Sequence, residues 1–243
     1  MIINVNGLSH REINQKIKIC ALKDNEIILN NVMGQRFIGA AFSKINIIIN
    51  GIAGNALGAY LNGAILTLHE NAQDATGDTM NDGEIIIHGS SGDATGYAMR
   101  GGSIYVEKNV GYRAGIHMKA YNDKKPTIVI GGKTGSFLGE YQAGGNIIVL
   151  GIGYENTSIP IGSFFATGMH GGKIYLRTTN PPQVNEEKLI IRKADNSDIK
   201  DIEKNIKKYC NYFNKDYNKI INDNYYVIVA NTKSPYKQLY TNH

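Results

Sequence analysis

Tryptophan is absent from this chain of 243 residues, cysteine occurs twice and proline five times. Cys20 and Cys210 lie far apart and cannot build a CxxC redox pair, a four-cysteine zinc site or an iron–sulfur cluster, so they read as reduced, mostly buried thiols. Few prolines beside 28 glycines exclude both collagen and a low-complexity linker and point instead to frequent tight backbone. No apolar run approaches about 18 residues, and Met1-Ile2-Ile3-Asn4 lacks a basic region followed by an apolar one. The expectation is a cytoplasmic protein with no membrane segment.

The formal charge of +5 raises the question of nucleic acid. Residues 1–50 carry 6 basic and 3 acidic side chains, 51–180 carry 9 and 10, and 181–243 carry 11 and 8. The excess therefore sits at the two ends, and the glycine-rich middle lacks the basic stripe interleaved with aromatics that a nucleic-acid groove needs.

What is present is a period of 19. Asp74-Ala75-Thr76-Gly77 returns as Asp93-Ala94-Thr95-Gly96, and a glycine column runs Gly39, Gly58, Gly77, Gly96, Gly115 and, after five extra residues, Gly139. Eight further residues bring the column to Ala166, its one departure. A second column reads Gly54, Gln73, Gly92, Gly111, Gly135 and Gly162. Two apolar columns follow, Ile47, Leu66, Ile85, Ile104, Ile128, Ile147 and Ile174, and Ile49, Leu68, Ile87, Val106, Ile130, Val149 and Leu176. They stand two residues apart, on one side of a strand. The column between them is mixed, and another holds Phe42, Leu61, Met80, Met99, Met118, Gln142 and Met169.

Nineteen residues are too few for two helices and their turns, and the runs are β-branched after Gly-Gly or Asp-Gly pairs. The prediction is a right-handed single-stranded parallel β-helix of about seven coils, 26–180, with its glycines at sharp corners. Insertions at about 120–126 and 152–160 should loop out as a binding face. Ser9 and Glu12 form a capping-box pattern, placing a helix at about 9–22 within an N-terminal cap, 1–25. Ile199, Ile202, Ile206, Cys210 and Phe213 recur at helical spacing, so 181–243 should hold a helix over 198–213 and an extended tail, with Tyr225–Val229 as a late strand or docking segment.

Little chemistry emerges. Gly131-Gly132-Lys133-Thr134 lacks the first glycine of a phosphate loop and a following helix, and no catalytic or cofactor-binding residue is assigned. His69, His88 and Glu107 share a column and are the only candidates for a metal, yet the position should be outward and solvated, which makes a surface ladder the simpler reading. His117 and His170 join no Ser/His/Asp arrangement.

The runs Gly92-Asp-Ala-Thr-Gly96, Gly111-Tyr-Arg-Ala-Gly115, Thr79-Met80-Asn81-Asp82-Gly83, Gly96-Tyr97-Ala98-Met99-Arg100-Gly101-Gly102 and Gly168-Met169-His170-Gly171-Gly172 resemble the GXGXG domain at the C-terminus of the large subunit of glutamate synthase. The match spans roughly 26–180 and is similar also to the GXGXG-type subunit of formylmethanofuran dehydrogenase. The resemblance implies a structural subunit without its own active site, in an oxidoreductase complex of nitrogen metabolism and glutamate biosynthesis. Glutaminase and FMN-dependent synthase chains would be its partners, with FMN and an iron–sulfur cluster on those partners and none here. A homo-oligomer is compatible with it, and neither nucleic acid nor membrane is expected. The alternatives are an autonomous lyase or hydrolase, and the formylmethanofuran dehydrogenase subunit.

Overall fold

The computed structural model describes residues 1–155, 159–184 and 188–231. Eleven strands and three helices follow in the order β1 (Ile2–Asn4), α1 (His10–Ala21), β2 (Glu26–Met33), β3 (Asn46–Ile52), β4 (Asn62–Leu68), β5 (Asp82–Ile87), β6 (Ser103–Val106), β7 (Thr127–Ile130), β8 (Ala143–Val149), β9 (Gly171–Arg177), β10 (Leu189–Lys193), α2 (Asn196–Phe213), α3 (Tyr217–Ile221) and β11 (Tyr225–Ala230).

The strands form one open, mixed sheet in the order β1-β2-β3-β4-β5-β6-β7-β8-β9-β11-β10. This corrects the expected right-handed parallel β-helix of about seven coils. Nine strands run parallel, and the chain beyond β9 then reverses, inserting β11 antiparallel between β9 and β10. Among the described residues the opposite side of each repeat supplies only single-residue bridges, such as Ala53 to Ala72, Ala72 to Ser91, Ser91 to Val110 and Val110 to Thr134, and no second sheet. The reason lies in the backbone. Each repeat spends four to seven residues in strand, and its turn segment alternates in and out of the left-handed region, which extended pairing does not allow.

Within the sheet the 19-residue columns pair residue for residue. Ile47 meets Leu66, Leu66 meets Ile85, Ile85 meets Ile104, and the series continues through Ile128 and Ile147 to Ile174. These side chains are fully buried on one face, with the Ile49 to Leu176 column beside them. Burial of each is worth about 1.5–3 kcal/mol, which is where the fold draws most of its stability.

The turn segments are joined to one another by hydrogen bonds. The N–H groups of Ala75 and Thr79 donate forward to Asp93 O and Tyr97 O, at 2.8 and 2.7 Å, while Gly77 N–H donates back to Leu57 O at 2.8 Å. The same alternation recurs at Ala94, Gly96 and Ala98. All these residues have positive φ, as do Phe37, Tyr60, His117, Phe137, Tyr141 and Phe164, so turn after turn places bulky side chains where L-residues are strained by of order 1–3 kcal/mol each.

Gly96, at φ +72°, shows what the glycine column is for. A Cβ there would lie 2.4 Å from Cδ1 of the inward Ile128. Ala166 keeps the left-handed backbone at φ +54°, and the sheet explains why it is tolerated. β9 is the last parallel strand, so the neighbour of Ile174 in the next strand is Ile228 on the antiparallel β11 and the packing geometry of the repeat ends there.

α1 starts with the Ser9–Glu12 capping box and buries Ile13 and Ile17 against the sheet end. α2 begins slightly earlier than its apolar spacing suggests, because Asp195 caps it and Asp198 reaches back to the Asp195 N–H at 3.2 Å.

Candidate functional site

The mixed column between the two inward columns is the key to the second face of the sheet. Ile86, Tyr105, Val129, Ile148 and Tyr175 are apolar and buried, and the same face of α2 that carries Ile202, Ile206, Tyr209, Cys210 and Phe213 closes over them in a second core. Polar bonds fix the helix at its rim. Tyr209 donates to Glu107 O at 3.0 Å, Lys215 pairs with Glu107 Oε1 at 2.9 Å, and Lys208 and Tyr212 both reach Glu84. Burial pushes the Tyr209 and Tyr105 phenols above their ordinary range.

Where the first turns of α2 leave the sheet, a cleft of about 670 Å³ opens. Its floor is the Gly144-Gly145 and Gly172 backbone at the starts of β8 and β9, and Lys125 of the 120–126 insertion forms its outer wall. Ser197, Lys200 and Asp201 line the helix side, and Lys173 enters from β9. The carboxylates already have cations. Asp198, buried, accepts from Lys173 at 3.0 Å and from both Arg192 nitrogens at 2.5 and 3.1 Å. Burial alone would raise its pKa, but the Arg192 and Lys173 hydrogen bonds outweigh it and hold the group at about 2. Asp201 accepts from Tyr175 at 2.8 Å and has Lys125 and Lys173 each at 3.7 Å. Three lysines beside two engaged carboxylates can hold a polar or anionic group, and the one hydroxyl lining the cleft, that of Ser197, donates to Asp195 at 2.7 Å, a carboxylate already engaged in capping α2.

The insertion at 120–126 loops out as expected and is pinned back, with a Tyr121–Lys124 bridge and Lys124 paired with Asp82 at 2.8 Å. Of the insertion at 152–160, residues 156–158 lie outside the described residues, as does the tail from 232. Glu155 reaches the buried Arg177 at 3.5 Å, and Arg177 also pairs with Asp223 at 2.8 Å.

The metal candidates are adjacent but separately engaged. His69 is exposed, its ring centroid 5.0 Å from that of His88, and His88 lies edge-on to Phe213 at 5.1 Å. Burial first, then the neighbouring His69, lowers the His88 pKa against a pull upward from Glu107. Among the described residues no group of three His, Cys, Asp or Glu could hold a metal ion. Gly131 and Gly132 are buried in the bend that follows β7, and a Cβ on Gly131 would meet Tyr209 Oη of α2 at 2.0 Å.

The family model described as the GXGXG motif matches residues 7–234. This chain belongs to the GXGXG family. It is 44% identical over 256 residues to the uncharacterized protein MJ1350 of Methanocaldococcus jannaschii, covering 99% of this chain and 96% of that protein. Its fold is similar, at a TM-score of 0.66 and 16% identity, to a chain in the X-ray crystal structure of the formyltransferase/hydrolase complex (FhcABCD) from Methylorubrum extorquens in complex with methylofuran. That likeness covers 92% of this chain and 89% of the other.

For this GXGXG protein, the sequence pattern discloses neither the cleft nor the covered face directly. One signal for the face exists, since the mixed column turns wholly apolar from Ile86 onward, where the earlier Thr67 is polar. For the cleft there is none, because Lys173 and Asp201 are 28 residues apart and come together only through the docking of α2 on the sheet. Among the described residues no helix is long and apolar enough to cross a membrane.

Proposed function

We propose that this GXGXG protein is a structural, non-catalytic subunit that braces partner chains in a multi-chain enzyme complex. The observation that carries the reading is the end-to-end likeness of fold to a chain found inside such a complex, over 92% of this molecule. The side-chain chemistry agrees with it. Asp198, Asp201, Glu84 and Glu107 are used to fasten α2 to the sheet, and so are not poised as acids or bases. The finer reading is a glutamate synthase-type complex, in which partner chains with glutaminase activity, FMN and an iron–sulfur cluster move the glutamine amide nitrogen to 2-oxoglutarate. It rests on the Gly92–Gly96 and Gly168–Gly172 stretches. A second reading, a subunit of a formylmethanofuran-type enzyme, is favoured by the identity of the similar structure.

Gentle affinity purification of the tagged full chain from its own cells tests all of this. Co-elution of a glutaminase and a flavin-containing chain supports the first reading, and a molybdenum- or tungsten-containing chain supports the second. A solitary chain at low salt overturns both.

A further inference from the structure

The turn segments carry an exposed aromatic flank that neither core uses. Phe137 and Phe164 stack at 5.2 Å between centroids and 19° between planes, and His117 stacks on Tyr141 at 5.1 Å and 11°. Tyr97 abuts His117 edge-on at 5.9 Å, and the Arg113 guanidinium lies 4.8 Å over Phe137. Phe164 is 66% and Tyr141 43% exposed.

Two features say that these rings are kept for a purpose. His117, Phe137, Tyr141 and Phe164 all have φ between +54° and +63°, a region where bulky L-residues are outliers that cluster at functional sites. In the preceding repeats the position of Phe137 and Phe164 holds Phe37, Ala56, Ala75, Ala94 and Arg113, and that of His117 and Tyr141 holds Ala41, Tyr60, Thr79 and Ala98, so the turn itself does not need an aromatic. Stacking between neighbours recovers part of the ring area, yet it leaves a line of ring edges facing water.

The surroundings select the partner. Arg100 and Lys119 follow Met99 and Met118 on the same flank, both exposed, and among the described residues neither meets a carboxylate within 4 Å. Glu140, the acidic member, is held by Arg113 at 3.2 Å. The flank is therefore apolar with a basic border. Stacking covers one face of each paired ring and Arg113 covers a further face of Phe137, so the flank is not a row of free ring faces of the kind on which successive bases stack.

We propose that this aromatic flank docks an acidic face of a partner protein chain, and the inference rests on the reading of the molecule as a subunit. Aromatic and arginine anchors are what such interfaces concentrate, and the basic border complements an acidic rim.

The test is tyrosine nitration of the full chain alone and within its affinity-purified native complex, read by mass spectrometry. Tyr97 and Tyr141 should lose at least fivefold of their labelling in the complex, while Tyr121, 57% exposed on the 120–126 loop, keeps its own. The F137S/F164S double variant should fold, with an unchanged melting temperature, and recover at least tenfold less partner. The R100E/K119E variant should do the same. Equal labelling of Tyr97 and Tyr141 in an intact complex overturns the inference and leaves the subunit reading standing. Protection of Tyr121 instead moves docking to the loop, protection removed by nuclease makes the partner a nucleic acid, and a complex of two copies makes it a homodimer, each overturning the proposal. Failure to recover any complex overturns the subunit reading together with it.

Discussion

A Cβ on Gly96 would stand 2.4 Å from Cδ1 of Ile128, a residue that belongs to β7, two strands further along the sheet. The turn of one repeat is thus packed against the inward side chain of the next repeat but one. Gly77 stands the same way to Ile104, and Gly115 to Ile147. Position and side chain together fix the column.

The first prediction follows from that contact. Gly96→Val forces a β-branched residue into φ +72° and drives it into Ile128, so about 1–3 kcal/mol of strain adds to overpacking of similar size. A urea midpoint that does not move would refute the packing role. Ala166→Gly, with the same backbone but the antiparallel β11 in place of a further parallel strand, should shift stability by less than about 1 kcal/mol, the range set by backbone entropy and strain together.

Gln142 interrupts the methionine column, and its amide takes the place of a methyl group. A Cβ on Gly172 would be 2.5 Å from Gln142 Nε2, as one on Gly102 would be 2.5 Å from Met80 Cε. Nε2 donates to Gly144 O and Gly145 O, at 3.2 and 3.1 Å, whereas Oε1 is buried with no partner among the described residues. Gln142→Met removes an unsatisfied acceptor that costs about 1–3 kcal/mol and fills the site as Met80, Met99 and Met118 fill theirs. The variant should melt higher than the parent by calorimetry. A lower melting temperature would mean that the two carbonyls depend on the amide.

How much of this is legible follows from which interactions repeat. Ile47 to Ile174 can be aligned because each faces an equivalent neighbour in the strand beside it, so the register of seven strands lies in the period itself. The first two strands escape it. Ile2 pairs with Ile28 and Ile27 with Ile47, at spacings of 26 and 20, because α1 occupies the chain between β1 and β2 and β2 carries an irregularity between Leu29 and Val32 that restores the spacing of 19 at Val32 and Gly51. The turn side misleads, since a glycine every 19 residues is compatible with a second sheet or with left-handed turns, and only the φ values of residues such as Ala75 and Thr79 distinguish them. The capping box at Ser9 is readable because it is local. The cleft is not, since Lys125, Lys173 and Asp201 meet only after the sheet and α2 are both in place.

Tyr209 and Gly131 test how α2 is seated. Tyr209→Phe removes one bond to the Glu107 carbonyl and should cost about 1 kcal/mol. Gly131→Ala places a Cβ 2.0 Å from both Tyr209 Oη and Glu107 O, and relief requires the helix to lift. It should cost more than Tyr209→Phe and raise amide exchange across Ile202–Phe213 while leaving β3 and β4 protected. Uniform exchange across sheet and helix would show that α2 and the sheet unfold as one unit.

Asp198 sets the acid limit of the molecule. Its folded pKa of about 2 lies below the ordinary 3.8, so its contribution is fully present above pH 4 and is lost as the pH falls from about 4 to about 2. A depression of nearly two units corresponds to about 2–3 kcal/mol, a size consistent with a carboxylate whose side chain is 1% exposed and which meets two cations. Asp198→Asn should therefore lower stability by about 2 kcal/mol at pH 7, because Lys173 and the Arg192 fork lose their counter-ion. Below pH 2 parent and variant should converge, since the parent carboxyl is then protonated as well. Urea titrations of both proteins at pH 7, 4 and 2 measure this, and a gap that stays constant with pH would show that the loss comes from helix capping at Asp195 and not from the buried charge.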